Sequence, residues 1–378
     1  MSGEVKQNTS VATGVIATAP SATQSASDPV YNTNPEDVGA EWHNTTSGEI
    51  FICRDNTANA NVWLGQKGSL VSGGRGLFGG GVDHPGGVDI DTIEYVEIST
   101  LSGGTDFGDL STVNAALAGT SNGINGRGLF AGGGVGGAGT SNKIEYVTIN
   151  TLGNVTDFGD MTVSRTSPGG LSDNTNERGL FGGGSESGGP TNVIDYVTIS
   201  NTSNATDFGN LSDTVRFLTG AGTSNGTNER GIYAGGKNNS NAWVNVIDYI
   251  TINTVGNATD FGNLSQTAAY VAANSNGTND RAVFGGLYGG SFTNIIEYIT
   301  ISTTGNTTDF GDLTLARSGP FGSSNGPSER AIFGGGYATT APNNTIDYIT
   351  INSTGNATDF GDLITPRYNH ASLSDVQG

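Results

Sequence analysis

Residues 230–264 read RGIYAGGKNNSNAWVNVIDYITINTVGNATDFGNL. An arginine opens a short run of small and apolar residues that ends on a glycine pair. A loop of Gly, Ser and Asn follows, then an Ile-acid-Tyr segment, then Thr-Asp-Phe-Gly. The segment VIDYITIN is rich in Ile, Val, Tyr and Thr, the residues that fit a pleated strand. One of its faces carries Val246, Asp248, Ile250 and Ile252, and the other carries Ile247, Tyr249 and Thr251. Both faces are largely apolar, so the sheet is expected to be covered on both sides.

The same order recurs along the chain. The arginines stand at Arg75, Arg127, Arg178, Arg230, Arg281 and Arg330, separated by 52, 51, 52, 51 and 49 residues. The Ile-acid-Tyr segments fall at Ile93–Tyr95, Ile144–Tyr146, Ile194–Tyr196, Ile247–Tyr249, Ile296–Tyr298 and Ile346–Tyr348. The Phe-Gly elements carry Phe107, Phe158, Phe208, Phe261, Phe310 and Phe360. A fourth segment, such as LTLARSGPFGSSN, leads to the next arginine. Four extended segments per unit and no helix to cover them predict an all-β chain whose sheets cover one another, as the blades of a six-bladed β-propeller do. A parallel β-helix repeats at about half this length and lacks four distinct strands per unit.

The order of ARSGPFGSSN, RAIFGGG, NTIDYITIN and ATDFGDL resembles the kelch repeat, which runs from an Arg-containing strand through a Gly-pair strand to an aromatic strand. Phe stands in the last strand where kelch proteins favour Trp. The resemblance implies that the C-terminal stretch Arg367 to Asp375 supplies the first strand of blade one, beside residues 75–81. The expected division is an extended arm over 1–28, a small β-module of three short strands over 29–68, and the propeller over 69–378.

Composition narrows the function. The 378 residues include 62 glycines but only 13% charged side chains, with no G-X-Y period. A net charge of −20 with 15 Lys and Arg disfavours nucleic acid and anionic membranes as partners. The single cysteine, Cys53, rules out an intramolecular disulfide. The N-terminus shows neither a basic region before an apolar core nor a spanning segment, so synthesis in a cytoplasm without a signal peptide is expected.

Two charged series repeat. Arg75, Arg127, Arg178, Arg230, Arg281 and Arg330 pair by position with Asp106, Asp157, Asp207, Asp260, Asp309 and Asp359, and sixfold repetition of such a motif points to scaffold rather than to catalysis. The acids before tyrosine (Glu94, Glu145, Asp195, Asp248, Glu297 and Asp347) are a candidate carboxylate set for Ca²⁺, but no dense D-x-D-x-D-G run accompanies them. Asn154, Asn204, Asn257, Asn306 and Asn356 stand in Asn-x-Thr/Ser triplets at one repeat position, where a tight turn suits them. His43, His84 and His370 are scattered, and no nucleophile elbow, HExxH, metal-ligand pair or phosphate loop is present in the sequence. No catalytic residue, metal or cofactor is expected.

Variation is then the informative feature. The segments after each glycine run differ: VDHPGGVDID, VGGAGTSN, SESGGPTN, KNNSNAWVN, LYGGSFTN and YATTAPNN. Variable loops on a rigid scaffold are where binding usually resides. Trp243, Tyr288, Phe292 and Tyr337 are aromatics among small polar residues, a composition suited to stacking on sugars and equally to ordinary solvated loops.

Residues 29–68 carry the pattern NP…G..W.N..SGE.F.C.D.T…N.W, on Pro35, Gly39, Trp42, Asn44, Gly48, Glu49, Cys53, Asp55, Thr57, Asn61 and Trp63. It is similar to a short module of marine phage (cyanophage-type) tail-fibre and other virion appendage proteins, and the TDFGDL repeat looks like repeats of the same genomes. The resemblance implies a virion structural protein. Residues 1–68 would contact other virion proteins, and the propeller would contact a host-surface glycan or protein. A homotrimer is a possibility the resemblance raises, although no coiled-coil heptads mark a stalk. The alternatives are a capsid-decorating protein, a cellular kelch-like interaction adaptor, and a carbohydrate-active enzyme.

Overall fold

A computed structural model of the chain describes residues 22–375, apart from 31, 47, 57, 59–60, 67–69, 72–73, 136–138, 217–220 and 329. Most of the expected N-terminal arm lies outside the described residues. The chain divides into two compact units, Met1–Val71 and Ser72–Gly378.

The first unit is a five-stranded sheet of Thr23–Ser25, Glu41–Asn44, Ile50–Asp55, Val62–Gly65 and Leu70–Val71, in that order. The three strands expected within 29–68 are there, but the sheet gains a strand on each side. Thr23–Ser25 lies parallel to Trp42–Asn44, so the end of the expected arm belongs to the sheet. Polar contacts fix it: the Trp42 indole donates to the Ser27 carbonyl at 2.8 Å and the Thr45 amide to the Ser25 carbonyl at 2.7 Å. Phe51, Cys53 and Trp63 form the core, and Trp42 meets Trp63 edge-on at 6.1 Å. Burial pushes the Cys53 thiol above its ordinary pKa.

The second unit is all-β, built on six antiparallel sheets whose four principal strands share one order. In the fourth sheet these are Gly222–Ser224, Arg230–Ala234, Val246–Thr251 and Thr259–Asn263. The second strands of the other sheets are Arg75–Gly79, Arg127–Ala131, Arg178–Gly182, Arg281–Gly285 and Arg330–Gly334. The third and fourth strands of the third sheet are longer, Gly189–Thr198 and Thr206–Arg216, and Lys237–Asn238 pairs with the latter. The first sheet takes its first strand from the far end of the chain: Ala371–Ser374 pairs with Gly76–Gly79. That pairing covers an edge that would otherwise be open.

Each sheet packs on the next through one recurring apolar contact. Phe78, Phe130, Phe181, Tyr233, Phe284 and Phe333 are buried at the same place in the second strands. Each second strand ends on Gly or Ala, and the neighbour's ring fills the space. A Cβ at Gly79 would stand 2.7 Å from the Phe130 ring, and one at Gly334 would stand 2.9 Å from Phe78. The second of these contacts joins the sixth sheet to the first. Burying a ring of this size stabilises by about 2–3 kcal/mol, so these contacts are a main term holding sheet to sheet.

The first strands approach one another most closely. One small cavity, about 10 Å³, is lined by Gly119, Gly170, Gly222, Ala273, Gly322 and Ser372, one residue from each of the six first strands. A Cβ on Gly170 would collide with the Gly119 carbonyl oxygen, and one on Gly222 with that of Gly170. The cavity has room for about one water.

Candidate functional site

The repeated charged residues are engaged in the seams between sheets. Arg127 lies 4.4 Å over the Tyr146 ring of its own sheet, and its guanidinium donates to the Ile199 carbonyl of the next sheet at 2.9 Å. Arg178, Arg230 and Arg281 do the same with the carbonyls of Ile252, Ile301 and Ile351, at 2.8, 3.1 and 3.0 Å. Arg330 reaches Ile98 of the first sheet, at 2.8 Å. Asp157, Asp207, Asp260, Asp309 and Asp359 are exposed on the fourth strands. They face the acids of the third strands in register, as Asp157 faces Glu145, so the Arg and Asp series that the spacing suggests as pairs are not brought together. The arginine side chains run across the seam, where a carbonyl rather than a carboxylate awaits them.

The acids before tyrosine are buried, and all but Glu145, which pairs with Lys143 of its own strand, accept hydrogen bonds from the segment that follows the Phe-Gly element of the preceding sheet. Asp195 accepts the Thr162 hydroxyl at 2.6 Å, and Asp248 accepts the Ser212 hydroxyl at 2.7 Å and its amide at 2.9 Å. Burial raises the pKa of both carboxyls. Glu94 accepts the Ile364 amide at 2.7 Å, again linking the sixth sheet to the first. Among the described residues no group of three or more His, Cys, Asp or Glu is placed to hold a metal ion.

The triplet asparagines do more than turn the chain. The Asn154, Asn204, Asn257, Asn306 and Asn356 side-chain oxygens each accept a fourth-strand amide of the preceding sheet, at 3.0–3.1 Å.

Three further arginines carry a role that the sequence reading does not assign: it places Arg317 and Arg367 only as members of first strands and does not single out Arg165. Arg165, Arg317 and Arg367 are fully buried and pair with Asp195, Asp347 and Glu94, the first two at 2.9 Å. Each also donates to backbone carbonyls, as Arg165 does to Phe181 at 2.9 Å. Desolvation lowers the pKa of these guanidiniums while the facing carboxylate opposes the shift. Their signal is weak because the corresponding places hold Asn114 in one repeat and Ala268 in another.

The unrepeated aromatics behave differently. Trp243, Tyr288, Phe292 and Tyr337, from the second-to-third-strand loops of the fourth, fifth and sixth sheets, converge. Trp243 meets Tyr288 edge-on at 5.4 Å, Tyr288 meets Phe292 at 5.3 Å, and Phe292 stacks on Tyr337 at 6.1 Å and 21°. Two residues that the sequence reading did not single out complete the patch. Tyr270 lies 6.3 Å from Tyr288, and Tyr368 meets Tyr337 edge-on at 5.3 Å. Both precede first strands, Tyr270 by two residues and Tyr368 by three, at adjacent but different places in the repeat, so no recurrence marked them in the sequence. All six are half-buried.

Five of the aromatics, Tyr270, Tyr288, Phe292, Tyr337 and Tyr368, line an open cleft of about 250 Å³ together with Ser318, Gly319 and Asn369. Outside that lining, the Lys237 ammonium lies 4.1 Å over the Trp243 ring. Burial raises the pKa of the Tyr368 phenol, with Tyr337 and Asp89 adding to the shift, so the hydroxyl stays a donor. The arrangement offers flat apolar faces bordered by hydroxyls and an amide, which is suited to holding a ligand.

No protein family model and no curated protein matches the chain.

Proposed function

We propose that residues 72–378 form a six-bladed kelch-like β-propeller, and that the chain is a non-enzymatic structural protein of a virion that attaches to a host surface. Six sheets of one strand order, each bonded to the next and the sixth to the first, support the propeller reading. So does the small cavity lined by one residue of every first strand.

The observation that carries the attachment reading is a contrast within the repeat. Apart from the exposed Asp157 series, the side chains that recur along the repeat are engaged in seams, whereas the aromatics of the fourth to sixth repeats are half-buried around an open cleft. A rigid ring with one irregular, aromatic face is a scaffold for recognition. The virion assignment rests on the resemblance of residues 29–68 and of the TDFGDL repeat to marine phage appendage proteins. In that reading the N-terminal unit is the anchor and the propeller the distal head, on a tail fibre or as a capsid decoration.

Mass spectrometry of purified particles, with an antibody against the chain to locate it by electron microscopy, tests the proposal. The chain should be present at stoichiometric levels with the N-terminal unit against the particle. Its absence from particles would defeat the virion assignment.

A further inference from the structure

We infer that the cleft of Tyr270, Tyr288, Phe292, Tyr337 and Tyr368 is a binding site for a neutral glycan, with one site per chain; this rests on the reading of the chain as an attachment protein.

Three observations lead there. The first is shape: the Phe292 and Tyr337 rings are near parallel, at 21°, and Tyr368 stands at 78° to Tyr337, so the cleft has a flat wall and a side. Aromatic faces attract the apolar C–H face of a pyranose and orient it. At about 250 Å³ the cleft is at the small end of ligand pockets. It has room for a sugar ring, with the rest of the oligosaccharide leading out.

The second is polarity. The residues lining the cleft contribute phenol hydroxyls, the Ser318 hydroxyl and the Asn369 amide, and none is Asp, Glu, Lys or Arg. Groups of this kind pair with the hydroxyls of a sugar and offer no counter-ion for a carboxylate or sulfate. The chain carries a net charge of −20, and Asp89 acts on Tyr368 at the cleft margin, so an acidic sugar is repelled.

The third is asymmetry. Tyr288 and Tyr337 follow their repeat arginines by seven residues, and the matching places in the other four repeats hold Val82, Gly134, Ser185 and Lys237. Tyr270 has φ +56°, a conformation in which a bulky side chain is uncommon. The corresponding residues Ala116, Ser167, Gly319 and Asn369 share the positive φ, so the backbone imposes it and the fifth repeat accepts a tyrosine there. The backbone thus fixes Tyr270 beside Tyr288 before any ligand arrives. Six equivalent sites are not possible; one is.

The test uses the full chain on immobilised oligosaccharides, neutral (hexose, 6-deoxyhexose and N-acetylhexosamine) and acidic (sialylated and uronic acid). The chain's ability to block adsorption of particles to their host cells is measured in parallel. Retention on neutral sugars at one site per chain is expected, about tenfold weaker in Phe292→Ala and in Tyr337→Ala, with melting temperatures unchanged. Tyr337→Phe keeps the ring and removes only the hydroxyl, so it separates stacking from hydrogen bonding. Retention of acidic sugars in preference, or neutral binding untouched by both alanine variants, would overturn the assignment. A chain that blocks adsorption yet holds no neutral sugar would overturn the glycan site and leave the attachment reading standing. A chain that holds neutral sugar through the cleft but is absent from particles would defeat the wider reading alone.

Discussion

The Arg330 guanidinium donates to the carbonyl of Ile98, 232 positions earlier, across 2.8 Å. It links the sixth sheet to the first by the same bond that Arg178 makes between the third and fourth. Seam for seam, the contact is alike whether the partners are close in sequence or at opposite ends of the unit.

Arg330→Met keeps the aliphatic stem and removes both the hydrogen bond and the contact with the Tyr348 ring, 4.8 Å away. A loss of about 1–3 kcal/mol is expected, read as a shift of the denaturant midpoint. Arg178→Met should cost a similar amount, and the double variant the sum, since the seams are separate.

Asp195 and Arg165 are both 0% exposed and 2.9 Å apart. Asp195→Ala leaves an uncompensated buried cation and should destabilise by about 3–5 kcal/mol. Replacing both, as Arg165→Met with Asp195→Leu, should recover much of that loss in chemical denaturation.

Asp173 accepts the Arg178 amide at 2.6 Å, as Asn122 accepts that of Arg127 at 2.7 Å. Asn122 and Asn225 also donate to an acid of the next repeat, Glu177 at 3.0 Å and Asp280 at 2.9 Å. Asp173 cannot donate when ionised, and burial, with Glu229 adding to it, raises its carboxyl to about 6. The folded state therefore holds more protons than the unfolded state between about pH 4 and 6, and stability falls as pH rises through that window. Asp173→Asn should stabilise by up to about 3 kcal/mol at pH 7 and by little at pH 4, which calorimetry at the two pH values will show.

His370 is fully buried between Phe78 and Phe321, at 5.7 and 4.3 Å. Burial, with Arg367 and Arg317 adding to it, pushes its pKa well below the ordinary imidazole value. The folded state here holds fewer protons than the unfolded one, so stability is level above about pH 6.5 and falls below it, by at most about 1.4 kcal/mol per pH unit. His370→Leu copies Leu117 at the matching place and should flatten that limb in pH-dependent thermal melts.

The repeat was legible because its side chains serve the seams. Arg and Phe each meet a partner one sheet away, and so do the acids apart from Glu145, so the copies share one geometry and nearly one set of residues. What each member touches was not legible, since the Ile199 carbonyl that Arg127 reaches leaves no mark on the sequence 72 positions earlier. The buried pairing of Arg165, Arg317 and Arg367 escaped because only three repeats carry an arginine there. In and beside the cleft, Tyr288, Phe292, Tyr337 and the neighbouring Trp243 stood out as aromatics among small residues. Tyr270 and Tyr368 enter it from a different segment, and only the stacking of sheets brings that segment alongside.

Ala371–Ser374 pairs with the second strand of the first sheet, and Asp375 accepts the Arg75 amide from 300 residues away. During synthesis, which proceeds at about 5–20 residues per second, the edge of Arg75–Gly79 therefore waits on the order of 15–60 s for its partner to emerge. For that interval it is a template open to the equivalent strand of another nascent chain. Crowded polysomes would favour exchange of C-terminal strands between copies, and dilute translation would favour the closed single chain.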